Sequence, residues 1–138
     1  MLLLEDRPRP QAAQRWKTQI NENAKVPAWY SSFPELDHNE IVGWETLPDL
    51  TREQLAVVVL SDESDHDRIG LRTRITRDLT GEAVPWVGTV ASSGTARLAR
   101  LVSLTVVGDL VSWMLAGRLG VDPTPVATIE SLKQLLVD

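Results

Sequence analysis

Two side chains in the first third of the sequence have the right chemistry for proton transfer. Glu22 stands between Asn21 and Asn23 in NENAK, and His38 stands between Asp37 and Asn39 in ELDHNE. A positioned carboxylate can lift a weakly acidic carbon-bound proton, most effectively when its pKa lies near the working pH. Histidine is the ordinary side chain that both donates and accepts protons near pH 7. Together the two would make an acid–base system. Each also has a plainer reading. Glu22 falls in the last turn of a predicted helix, almost opposite its apolar stripe, where a solvated glutamate is common. His38 sits in a polar loop, where Asp37 and Asn39 could fix its tautomer or simply accompany it.

Other polar groups offer weaker chemistry. The acidic stretch SDESDHD (61–67), with His66, follows a predicted strand, the edge where layered α/β domains place their sites. Its ligand types suit a divalent cation, but the spacing is not diagnostic and a solvated loop is the preferred reading. SSGTA (92–96) leads into a helix, where backbone N–H groups favour a phosphate. Ser and Thr are equally wanted there as N-caps. Asp109 is the only charge in 101–117 and is expected to be paired or close to a site. Lys133 borders the apolar side of the last helix, a common position for a snorkelling lysine.

The elements that must position these residues follow from periodicity. Residues 10–24 predict a helix through the stripe Ala13, Trp16 and Ile20, with Pro27 marking its exit. Residues 26–50 carry three prolines and predict an ordered loop with a short helix around 35–43. LAVVVL (55–60) is a continuous apolar run, the pattern of a strand covered on both faces. A helix over about 67–80 follows, amphipathic through Ile69, Leu71, Ile75 and Leu79, with Gly81 at its end. AVPWVGTV (83–90) predicts a second buried strand, and the N-terminal Leu-Leu-Leu a third. The tract 101–117 is shorter than the ~20 apolar residues of a membrane span. It predicts a buried core helix running to about 119 and ending at Gly120. A last helix is expected with Thr124 as N-cap, Pro125 at its first position, and Ile129, Leu132, Leu135 and Leu136 on one side. Strand–helix alternation with buried strands implies an α/β domain on a parallel sheet.

At 138 residues, 43% apolar and 24% charged, the chain is one domain able to bury a core. A net charge of −5 argues against nucleic acid or an anionic membrane as the main partner. The absence of cysteine removes disulfides and thiolate metal sites, in keeping with a cytoplasmic location.

RWKTQINENAKVPAWY (15–30), FPELDHNEIVGWE (33–45), LARLVSLTVVGDLVSWMLA (98–116), DPTPV and IESLK (122–133) resemble, in order, one family. It is that of the bifunctional phosphoglucose/phosphomannose isomerases, in its C-terminal sugar isomerase (SIS) domain. The resemblance implies a three-layer αβα domain that interconverts glucose 6-phosphate or mannose 6-phosphate with fructose 6-phosphate through a cis-enediol(ate). It implies a dimer and no metal or cofactor. By motif, Glu22 would be the base that moves a proton between C1 and C2. His38 would come from the neighbouring subunit to assist ring opening, and Lys133 would help. Gly108, Asp109 and Ser112 match the family's G-D-x-x-S, for which a structural hydrogen bond or a subunit contact is expected. The family's phosphate-binding loop lies in an N-terminal SIS domain and is not matched within this sequence. The chain is therefore expected to be the C-terminal domain, inactive alone. The alternative is a sugar-phosphate-binding regulatory or dimerisation module without catalysis.

Overall fold

The computed structural model describes residues 2–6, 10–84 and 86–136. Four parallel strands, β1 (Leu2–Asp6), β2 (Trp29–Phe33), β3 (Val57–Ser61) and β4 (Val87–Ala91), lie in the order β2-β1-β3-β4. Leu2 is in register with Trp29 on one side and Val57 on the other, and Val57 is in register with Val87. The helices are α1 (Pro10–Gln19), α2 (Pro48–Gln54), α3 (Asp67–Thr80), α4 (Arg97–Leu119) and α5 (Ala127–Leu135). A π-helical turn, Ile20–Ala24, extends α1, and two 3-10 turns, Glu35–His38 and Glu40–Trp44, follow β2.

The predicted doubly covered strand is β3, and its alternation explains the layers. Val58 and Leu60 point into one core with Ala12, Ala13, Trp16, Ile20, Ala28 and Leu104, so α1 and α4 cover that face. Val57 and Val59 point the other way, with Phe33, Leu36 and Val84, beneath α3 and the 3-10 turns. The domain is thus an α/β sandwich of helices on both faces of a parallel sheet. The predicted N-terminal strand is β1.

Several expectations change. Residues 29–33, predicted as loop between prolines, form the edge strand β2. The strand expected at 83–90 is shorter and only half buried, because β4 is the other edge; Pro85 lies outside the described residues. No Ser or Thr of SSGTA caps α4; its N-cap is Ala96, the last residue of that stretch, without a side-chain bond. Thr124 does not cap α5, which begins two residues after Pro125. On α3 the buried residues are Thr76 and Thr80, while Leu71, Ile75 and Leu79 face outward.

The buried core helix expected over 101–117 is α4, 23 residues and about 34 Å long. By length and composition it could cross a membrane, yet only Leu104, Gly108, Ser112 and Ala116 are buried, one narrow stripe. Its core contact is specific. The Trp16 indole N–H donates to the Leu104 carbonyl at 2.7 Å, and a Cβ on Gly108 would lie 2.3 Å from the Trp16 ring. Gly108→Ala is therefore expected to destabilise by about 1–3 kcal/mol through overpacking, despite alanine's better helix propensity. Urea denaturation checks this; an unchanged midpoint would show that the ring yields freely. Gly120 ends α4 as predicted, in the left-handed region (φ 67°), with Val121 N–H returning to the Ala116 carbonyl at 2.9 Å.

Candidate active site

The NEN segment is the π-helical turn, and its two asparagines are anchors. The Asn21 side chain clamps Ala28, accepting from its N–H at 3.0 Å and donating to its carbonyl at 3.4 Å. It thereby fixes the turn that starts β2. Asn23 donates to Ser112 Oγ at 2.9 Å and to Gln19 Oε1 at 3.2 Å, and Ser112 in turn donates to the Asp109 carbonyl at 2.7 Å. This ties the turn to the middle of α4. Lys25, in the left-handed region (φ 57°), closes the turn by donating to the Glu22 carbonyl. Between these anchors Glu22 is exposed, and its carboxylate has no hydrogen-bond donor among the described residues.

Asp109 is paired, as its isolation in an apolar tract predicted. Arg15 grips it through Nε at 3.0 Å and Nη2 at 2.8 Å. That hydrogen bond, and then the Asp109 charge, hold the Arg15 guanidinium above its ordinary pKa, and the Glu22 charge adds to the effect.

His38 ends the first 3-10 turn, exposed and without a side-chain hydrogen bond among the described residues. Its neighbours do not fix its tautomer. Asp37 accepts from Arg72 Nη1 at 2.9 Å and from Thr76 Oγ1 at 2.8 Å, while Asn39 accepts from the Glu40 N–H. Asp37 thus fastens the loop to α3. Lys133 lies on α5, where no described residue is buried.

The chain topology separates these residues. α1 runs back from the carboxyl ends of the strands, so Glu22 lies beyond their amino ends. β2 then crosses the sheet, about 16 Å for its five residues, before His38 is reached at the carboxyl ends. Glu22 and His38 therefore lie at opposite ends of the strands, on either end of β2, and do not meet within one chain.

The acidic stretch has a structural use. Asp62 accepts from Ser64, Ser92 and Arg100, and His66 Nδ1 caps α3 by accepting from the Arg68 N–H at 3.1 Å. Among the described residues no cluster suits a metal ion. A cavity of about 500 Å³ beside α3, lined in part by His66, Thr73, Arg74, Arg77 and Thr89, contains none of the three predicted site residues.

The parallel sheet covered by helices on both faces is the architecture expected of an SIS-type domain. The chain belongs to the family described as the bacterial phospho-glucose isomerase C-terminal SIS domain, whose pattern matches residues 1–136. It is 46% identical over 126 residues to a bifunctional phosphoglucose/phosphomannose isomerase of Caldicellulosiruptor bescii, covering 91% of this chain and 37% of that protein. It is 42% identical over 126 residues to the protein of the same description from Aquifex aeolicus, covering 90% and 38%. The chain thus spans less than two fifths of the length of these curated relatives. A glucose-6-phosphate isomerase like protein from Thermus thermophilus shares the fold, with a TM-score of 0.72 at 21% identity, over 97% of this chain and 42% of that one.

Proposed function

We propose that this chain is the C-terminal half of a cytoplasmic two-SIS-domain isomerase. It interconverts glucose 6-phosphate, mannose 6-phosphate or both with fructose 6-phosphate. The observation that carries the reading is the display of Glu22: half-buried, hydrogen-bonded anchors on either side, and an uncommitted carboxylate between them. The names of the relatives support the substrate class.

In the proposed cycle His38 of a second subunit takes the C1 hydroxyl proton and delivers a proton to the ring oxygen, so the C1–O5 bond breaks. Glu22 then removes the C2 proton to give the cis-enediol(ate) and returns a proton to C1, while the O2 proton passes to O1, so that C2 becomes the ketone and C1 carries the hydroxyl. Lys133 assists at the sugar hydroxyls. The N-terminal domain supplies the phosphate loop, and neither metal nor cofactor takes part.

The full-length protein is expected to introduce solvent deuterium at C2 of glucose 6-phosphate or mannose 6-phosphate during turnover. NMR of the recovered aldose reads this directly. Binding of the sugar phosphate without any exchange would overturn the isomerase and favour the silent binding module.

A further inference from the structure

The α3 layer does not reach across the whole sheet. Thr89 is in register with Val59 and points the same way, yet it is exposed, because β4 is the edge strand and α3 lies toward β2. The gap this leaves is the cavity of about 500 Å³ beside α3. Leu60, Ser61 and Asp62 line it, so it opens at the carboxyl end of β3, where parallel α/β sheets hold their ligands.

One face of α3 forms the wall. His66, Gly70, Thr73, Arg74 and Arg77 follow one another at helical spacing and all border the cavity. Arg74 folds back along the helix, its Nη1 lying 4.0 Å from where a Cβ on Gly70 would stand. Neither Arg74 nor Arg77 forms an ion pair among the described residues. The acids beside them are engaged elsewhere: Asp62 by Arg100 at 3.0 Å, and Asp65 by the Asp62 N–H at 2.7 Å. Asp67 stands in the first turn of α3, where the helix dipole offsets its charge. His66 accepts the Arg68 N–H at Nδ1, so its ring proton sits on Nε2 and is a donor. Thr73 gives its own proton to the Ile69 carbonyl at 3.0 Å, which leaves its oxygen as an acceptor.

We propose that this cavity binds a small, hydroxylated phosphate monoester. Arg74 and Arg77 hold the phosphate: two forked guanidiniums one turn apart, with no acid paired to either, match a dianion with three terminal oxygens. The hydroxyl-bearing body lies toward His66, between the Nε2–H donor and the Thr73 acceptor, over Val59 and Ile69. The volume is that of a small-molecule site and exceeds what a bare anion fills. Glu22 lies at the other ends of the strands, so the site stands whether or not Glu22 is the catalytic base.

The test is protection of the full-length protein from phenylglyoxal, read residue by residue by mass spectrometry. Glycerol 3-phosphate at about ten times its Kd is expected to slow modification of Arg74 and Arg77 about tenfold, the factor 1 + [L]/Kd. Arg118, exposed at the end of α4, is expected to react at its unprotected rate. Gluconate, a hydroxylated carboxylate of single charge, is expected to protect neither arginine of the cavity. Arg74→Gln is expected to raise the concentration that half-protects Arg77 about tenfold, because one charge-assisted bond to the same anion is lost. Circular dichroism checks that this variant is folded, as its exposed position leads one to expect. Unchanged rates at Arg74 and Arg77, equal protection of Arg118, equal protection by gluconate, or full protection of Arg77 in the Arg74→Gln protein would each overturn the site.

Discussion

Glu22→Gln in the full-length protein is expected to lower kcat by about 10²–10⁴ while leaving substrate affinity nearly unchanged. Glutamine keeps the size of the side chain and an acceptor oxygen but cannot carry the C2 proton. The loss corresponds to roughly 2.7–5.5 kcal/mol of transition-state stabilisation. Fold stability is expected to stay within about 0.5 kcal/mol, because the carboxylate is exposed and accepts no hydrogen bond among the described residues. The anchors carry the local structure instead, through Asn21 on Ala28 and Asn23 on Ser112. Steady-state kinetics, isothermal titration with fructose 6-phosphate and deuterium exchange at C2 separate these effects. Turnover at the parent rate would remove Glu22 from the chemistry. Lost affinity with intact kcat would make it a binding group.

What the sequence discloses depends on whether the relevant contact is local. The stripe Ala13, Trp16 and Ile20 and the run Val57–Leu60 were legible, because burial within a domain imposes its period on the chain. β2 was not legible: a five-residue edge strand between Pro27 and Pro34, with Trp29 and Tyr30 exposed, shows no clean alternation. α3 misleads for a different reason. Its inward face is made of threonines whose hydroxyls are satisfied, Thr80 by the Thr76 carbonyl and Thr76 by Asp37, while its aliphatic residues face out. Periodicity finds an apolar face but not the surface that covers it. The same holds for α4, most of whose apolar residues lie outside the chain's own core. At the site, Glu22 and His38 could be picked by type and motif. The use of Asn23 could not, because its partner Ser112 is 89 residues away.

The largest expected loss of stability comes from Asp62→Ala. The Asp62 side chain is 4% exposed and accepts from the Ser64 N–H at 2.9 Å, Ser64 Oγ at 2.6 Å, Ser92 Oγ at 2.7 Å and Arg100 Nε at 3.0 Å. One carboxylate therefore joins the end of β3, the segment after β4 and the first turns of α4. Removing it strands donors, chief among them the Arg100 guanidinium, itself only 12% exposed. Breaking a buried pair from one side costs about 3–5 kcal/mol, since the surviving charge stays desolvated. Arg100 keeps Thr95 O at 3.2 Å and Glu63 Oε1 at 3.4 Å, which places the expected loss near the lower end, about 3 kcal/mol. Arg100→Met on the Asp62→Ala background removes the stranded charge, so the double variant is expected to be more stable than the sum of the single effects. Urea denaturation of the four proteins of this cycle measures the coupling. An Asp62→Ala midpoint equal to the parent's would mean that water reaches Arg100 and that the carboxylate does not hold the strand ends to the helix.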